Sequence, residues 1–223
     1  MSISHIKLHE SERNLVDTLL YFDIFDHPLK REELKSFACR NGNDFLKAVD
    51  SLQRKKIISQ QDGYLFLQGK DWTVKKRQEE RKRVQHYFRI ARLITSLIAV
   101  FPFVRGVFIS GSLSKLRAGD KSDIDYFIVT APGRLWVART LLILFKKIFL
   151  FNSYRFFCLN YFIDSESLEI TSKNRFVATE VATLVPVYNY PLFQEFFMAN
   201  QWIKEYFPLT SPRDDRHVIK SKR

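Results

Sequence analysis

Two cysteines in 223 residues, Cys39 and Cys158, are too few and too far apart to staple a fold, and neither belongs to a CxxC pair or a histidine cluster. A disulfide scaffold and a zinc module are therefore excluded, and both thiols are expected to be reduced and buried. Glycine and proline are scarce, seven of each, so the chain has no flexible linker; repeats and low-complexity segments are missing too. No apolar stretch reaches the uninterrupted run of about 18 residues that a membrane span needs. Leu93 to Val104 contains Pro102, and Leu135 to Phe151 is broken by Arg139, Lys146 and Lys147. The opening "MSISHIKLHESERNLVD" lacks the basic, apolar, small-residue order of a secretory signal, so a cytoplasmic protein is expected. Without Gly-x-Ser-x-Gly, a Walker loop or zinc spacing, hydrolase and ATPase chemistry have no support.

What the chain does have is 46% hydrophobic residues, enough for one sizeable domain or two small ones, and a formal charge of +12. Such a balance favours an anionic partner: nucleic acid, nucleotide phosphate or an acidic membrane surface. Charge alone does not choose among them.

From Glu12 to Phe25, Leu15, Val16, Leu19, Leu20, Ile24 and Phe25 recur at helical spacing up to Asp26-His27-Pro28. "LKREELKSFA" reads as a second helix. "NDFLKAVDSLQRKKII" reads as a third, begun by Asn43 or Asp44, with Phe45, Leu46, Val49, Leu52 and Ile57 inward. "ISQQDGYLFLQG" then reads as a hairpin turning at Gln61-Asp62-Gly63. Three helices and a hairpin resemble a winged-helix domain over roughly residues 11 to 70. If the module binds a duplex through its third helix and wing, Arg54, Lys55 and Lys56 are the expected phosphate contacts. The other reading is a docking or dimer module, since Asp44 and Asp50 share the third helix with Lys47. "TVKKRQEERKRVQHYFRIARLITSLIAVF" follows as one long helix, its early basic turns solvated or phosphate-facing and its later turns burying Phe88, Ile90, Leu93, Ile94, Leu97 and Ile98.

The chemistry is concentrated in "GVFISGSLSKLRAGDKSDIDYFIVT". An apolar strand runs into Gly111-Ser112 and a helical turn, "LSKLR". Glycine there lets backbone amides approach a phosphate, and a helix start offers unsatisfied N–H groups to an anion. Ser112 and Lys115 add a hydroxyl and a positive charge. After a polar loop, "DIDYFIVT" reads as a strand whose alternation puts Asp123 and Asp125 on one face. Two such carboxylates repel unless a divalent cation lies between them, and oxygen ligands suit Mg²⁺.

Strand, Gly-Ser, ten residues, then Asp-x-Asp entering a second strand resembles the DNA polymerase beta-like nucleotidyltransferase superfamily, over roughly residues 85 to 185. The resemblance implies an α+β protein in which a small mixed sheet flanked by helices follows the winged helix. It implies Asp123 and Asp125 as metal and catalytic ligands, Gly111, Ser112 and Lys115 as the nucleoside triphosphate cradle, and Mg²⁺ as cofactor. A third carboxylate is expected on a later strand, "RFFCLNYFID", where Asn160 stands instead, with Asp164 at the strand's far end. Asparagine offers a carbonyl oxygen but no base.

The implied domains are a winged helix over 1–72, a basic linking helix over 73–100, a nucleotidyltransferase-like domain over 101–209 and a loose charged tail over 210–223. The expected activity is transfer of a nucleoside monophosphate from an NTP to an unidentified hydroxyl acceptor. The alternative is a catalytically degenerate fold acting as a DNA-binding or nucleotide-sensing regulator. A third idea is peripheral membrane attachment through Leu135 to Phe151. Farther on, Phe176, Val177, Val181, Leu184 and Val185 read as one helix face, with Glu180 between apolar neighbours either approaching the site or serving as a surface or capping carboxylate, the second being favoured. Pro191 opens a final helix, "PLFQEFFMANQWIKEYF", with an aromatic stripe. His5, His9, His86 and His217 join no metal or acid–base arrangement.

Overall fold

The computed structural model describes residues 7–38, 44–119, 122–149 and 155–219; Cys39 and Asn43 lie outside them. The protein is mixed α+β and divides into two units, Met1–Glu79 with Lys204–Thr210 and Glu80–Ile203 with Ser211–Arg223.

In the first unit, helix α1 (Glu10–Asp23) precedes a two-residue strand β1 (Leu29–Lys30), α2 (Arg31–Ala38) and α3 (Phe45–Arg54). The hairpin of β2 (Ile58–Gln61) and β3 (Tyr64–Leu67) follows, and the antiparallel sheet has the order β1-β3-β2. The hairpin turns on Asp62-Gly63, at φ 51° and 79°, the left-handed pair that a tight two-residue turn demands. Leu15, Leu19, Leu34, Val49, Leu52 and Leu65 form the centre. Three residues expected on the inward helix faces fall outside it, Leu20 of α1 among them. Ile24 is exposed because α1 ends at Asp23 and the chain reverses through Asp26, and Leu46 is exposed at the start of α3.

The basic stretch forms one helix, α4 (Trp72–Ile98). In its first turns two cations are held by acids of the first unit, while Lys75 stays exposed. Lys76 reaches Asp26 at 2.7 Å, and Arg77 donates to both oxygens of Glu33, at 2.7 and 2.9 Å, and to the Pro28 carbonyl. Arg77 also lies over the Tyr64 ring and is almost wholly buried.

The second unit holds a four-stranded sheet in the order β6-β5-β4-β7. Its strands are β4 (Val104–Ser110), β5 (Asp125–Thr130), β6 (Cys158–Asp164) and β7 (Val185–Tyr188). β5 is antiparallel to β4 and parallel to β6, with the helix α6 (Leu135–Phe149) as crossover; β7 is antiparallel to β4. A single helical turn, α5 (Gly111–Ser114), follows β4, and α7 (Arg175–Thr183) and α8 (Tyr190–Ala199) flank β7 in sequence. Alternation divides the sheet into two faces. Val107, Ile109, Tyr126 and Ile128 pack with Phe88, Ala91 and Ile98 of α4 and Leu142 of α6. Phe108 and Phe127 face the other way, onto Phe193 and Phe196 of α8.

Four expectations change here, the first being that Leu93 and Leu97 of α4, read as buried, are exposed. Val185, read as helical, starts β7, an edge strand that tolerates Pro186 because an edge need not donate every ladder bond. Phe176 is exposed rather than inward. The segment read as a loose tail is docked as far as residue 219: the Ile219 N–H donates to the Val187 carbonyl at 2.8 Å and the His217 ring stacks on Phe88 at 4.0 Å. Burial lowers the His217 pKa, so the stacked ring favours its neutral form.

The expected final helix is broken at Asn200, beyond which a 3-10 turn runs from Gln201 to Glu205. Asn200 is wholly buried and fully used: Oδ1 accepts from Ile170 N at 2.8 Å and Trp202 Nε1 at 3.1 Å, while Nδ2 donates to Leu168 O and Phe196 O, both at 2.8 Å. It thereby pins the segment Leu168–Ile170 to the end of α8. Asn200→Ala orphans two buried donors and is expected to cost about 2 kcal/mol in denaturant unfolding, with Asn200→Asp failing to rescue because a carboxylate cannot donate to the two carbonyls.

Candidate functional site

β4 ends at Ser110, whose partner across the antiparallel ladder is Asp125, the first residue of β5. That register brings the chain on either side of the loop back to one point. Gly111 has φ +65°, and a Cβ built on it would lie 2.0 Å from Asp125 Oδ2, 2.9 Å from its Cγ and 3.2 Å from its Cβ. Only glycine fits, because the carboxylate occupies the space a side chain would take. Asp123 is exposed and precedes β5 rather than opening it; Ile124 between the two aspartates is buried and donates its N–H to the Arg155 carbonyl at 2.9 Å.

Asp125 shares the sheet face of Phe127. Burial raises its pKa first; the Cys158 thiol hydrogen bond opposes this, the negative charges of Asp123 and Glu180 add to it, and Lys115 opposes it. Cys158 is the ladder partner of Asp125 in β6. Burial, reinforced by Asp125, pushes that thiol up to about 12, so it stays protonated and donates to the carboxylate. Sequence reasoning treated Cys158 as an inert core thiol, and only the parallel register reveals its neighbour.

Asn160 does stand at the site. The β5–β6 pairing steps from Tyr126↔Leu159 to Phe127↔Tyr161, which leaves Asn160 as the extra residue. Its Nδ2 donates to Ser110 Oγ at 3.3 Å, and that hydroxyl donates to the Asp125 carbonyl at 3.3 Å. Asp164 does not belong here. It pairs with Thr130 at the other end of β5, about 17 Å along the ladder from Asp125, and accepts from the N–H groups of Gly133 (2.6 Å) and Glu166 (2.9 Å). It is a loop cap.

Lys115 is also not the free phosphate cation expected of it. It is buried, and its Nζ donates to Glu180 Oε1 at 2.6 Å and to the Gly111 carbonyl at 3.2 Å. One ammonium group thus ties Glu180 of α7 to the Gly111 turn, so that of the two readings of Glu180 the less favoured one, an approach to the site, is the one found. In the first unit, Lys55 binds both oxygens of buried Glu12, at 2.7 and 2.8 Å. Of the three residues expected at a duplex, Arg54 and Lys56 remain exposed.

Among the described residues, no three His, Cys, Asp or Glu side chains gather into a metal-holding group. The donor set is two carboxylates and the Asn160 amide oxygen. It fits Mg²⁺, which takes one or two carboxylates and fills its remaining positions with water and phosphate oxygens. With Lys115 already paired, the repulsion that raises the Asp125 pKa is also charge that such a cation relieves.

A cavity of about 500 Å³ opens beside Gly111. Ser110, Gly111 and Asn160 form one end, Phe127 and Tyr161 a wall on the sheet, and Phe176, Val177, Glu180 and Val181 of α7 the opposite wall, with Ile170, Thr171, Ser172 and Leu184 completing it. The volume suits a small molecule. No helix among the described residues is long and apolar enough to cross a membrane. No protein-family model, curated protein or solved structure matches the chain.

Proposed function

We propose that the chain is a Mg²⁺-dependent nucleotidyltransferase of the DNA polymerase beta-like type, transferring a nucleoside monophosphate from an NTP to a hydroxyl acceptor. One observation carries this reading: the turn Gly111-Ser112 and the carboxylate of Asp125 are in van der Waals contact, across a register that pairs Ser110 with Asp125. Phosphoryl transfer needs its phosphate cradle and its metal ligands at one point, and the contact between this turn and this carboxylate supports that reading.

Asp123 and Asp125 would hold the cation, which neutralises phosphate oxygens and steadies the departing pyrophosphate. The residues themselves have divided tasks. Gly111 lets the backbone approach the phosphates because nothing projects from it. The Cys158 thiol keeps the Asp125 carboxylate turned toward Gly111. Asn160 anchors Ser110 and cannot take a proton, so the ionisable group left on the cavity side is Glu180. For the first unit, three helices with a sheet ordered β1-β3-β2 support the winged-helix reading. Duplex binding through Arg54, Lys55 and Lys56 loses support, since Lys55 is committed to Glu12.

Thermal unfolding against ATP, GTP, CTP and UTP, with and without Mg²⁺, tests the reading. One nucleotide at a hundredfold excess over its Kd is expected to add about 2.7 kcal/mol only when Mg²⁺ is present, and Asp125→Asn is expected to remove the gain. No gain with any nucleotide would overturn it.

A further inference from the structure

The chain carries a charge of +12, yet among the described residues that line the cavity beside Gly111 there is no Lys, Arg or His. Its one charged lining residue is Glu180, and the Asp125 carboxylate lies against Gly111 at its end. Most of the remaining wall is apolar: Phe127, Ile170, Phe176, Val177, Val181 and Leu184. Tyr161 and Phe176 are half exposed from opposite walls, although aromatic rings that gain nothing by exposure are ordinarily covered. The Lys115 ammonium is folded against Glu180 and the Gly111 carbonyl.

Away from the Gly111 end these features select against a phosphate-rich occupant, because an anion there would meet the Glu180 carboxylate and, among the described lining residues, no Lys, Arg or His. They select for a body with an apolar or aromatic surface and one polar, donating group. We propose that this cavity is the acceptor pocket of the enzyme, and that it takes an uncharged or cationic small alcohol with an apolar or aromatic body, whose hydroxyl or amine donates a hydrogen bond to Glu180. The assignment rests on the nucleotidyltransferase reading for its role and on the lining for its chemistry. The basic charge of the chain then has no part in choosing the acceptor, and a nucleic-acid end is not the substrate.

Glu180 acts here as a binding group with its geometry set by Lys115. Its carboxylate stays within one ammonium group of the turn where the phosphates would lie, so a hydroxyl held by it faces that turn. Phe176 closes the outer side. Being exposed, it can be truncated without touching the core.

Ligand-observed NMR on the full chain, with benzyl alcohol, benzylamine, benzoate and phenyl phosphate as size-matched probes, tests this without nucleotide. Benzyl alcohol and benzylamine are expected to bind at least about tenfold more tightly than the two anions. Phe176→Ala is expected to weaken benzyl alcohol about fivefold and Val177→Trp to eliminate it, both leaving the Mg²⁺-dependent nucleotide stabilisation in place. Glu180→Gln is expected to cut the preference for benzylamine over benzoate about tenfold. Anions binding as well as the alcohol, or Val177→Trp binding benzyl alcohol unchanged, would overturn the cavity assignment while Mg²⁺ and nucleotide still bind. Benzyl alcohol binding in a chain that responds to no nucleotide would instead refute the transferase reading, and the acceptor role with it.

Discussion

Gly111→Ala is expected to abolish the Mg²⁺-dependent response to nucleotide and to destabilise the Glu80–Ile203 unit by about 3 kcal/mol in denaturant unfolding. Two costs combine. The left-handed backbone at φ +65° disfavours any side chain by about 1 kcal/mol, and the new methyl overlaps the Asp125 carboxylate, which must swing away from the turn. The second cost is removable. In an Asp125→Ala background the contacts at 2.0 and 2.9 Å disappear and only the Cβ contact at 3.2 Å remains, so the same substitution should cost about 1 kcal/mol. A coupling of about 2 kcal/mol in this double-mutant cycle is the expected result. Additive effects would mean that the carboxylate does not occupy the space above Gly111, and the proposed site would lose its central contact.

Lys55→Met is expected to destabilise the first unit by about 3 kcal/mol at pH 7, because it leaves the Glu12 carboxylate buried without its cation. The same pair sets an acid limit. Burial alone would push the Glu12 carboxyl up; hydrogen bonds from Lys55, Ser51 and the His9 N–H, with the charge of Lys55, outweigh it and hold the pKa at about 2 against an ordinary 4.5. A folded-state value below the unfolded one contributes stability that is complete above pH 4.5 and drains away as pH falls toward 2. The difference corresponds to about 3 kcal/mol. Unfolding free energies measured from pH 6 to pH 2 should show that loss in the wild type and little of it in Lys55→Met. Parallel curves for the two proteins would show that the ion pair contributes nothing. If duplex affinity fell in Lys55→Met, the fall would report on folding unless stability were matched.

What was legible in the chain was local chemistry. Asp62-Gly63 announces its turn because few other pairs accept two left-handed residues, and Gly111-Ser112 with Asp123-x-Asp125 announces a strand–turn–strand because two apolar runs bracket them. What was not legible depends on partners distant in sequence. Lys115 looked like a free cation because Glu180 is 65 residues away. Asp164 looked like a neighbour of Asp125 because nothing local states that the ladder puts Cys158 opposite Asp125. β1 is two residues long and exists only because β3 supplies its hydrogen bonds. The final helix looked continuous through Asn200, whose side chain is instead spent on Leu168 and Ile170, some thirty positions earlier.

Phe207 belongs to the first unit, where it is buried and meets the Phe37 ring edge-on at 5.3 Å, yet in the chain it follows Glu80–Ile203, the larger segment of the second unit. The consequence concerns synthesis. The first unit emerges early but lacks part of its core until roughly 120 further residues have been added, a delay on the order of ten seconds at ordinary elongation rates. During that interval its unfilled aromatic site around Phe37 is open to solvent and to other nascent chains, so the unit begun first cannot complete its core until most of the second has been made.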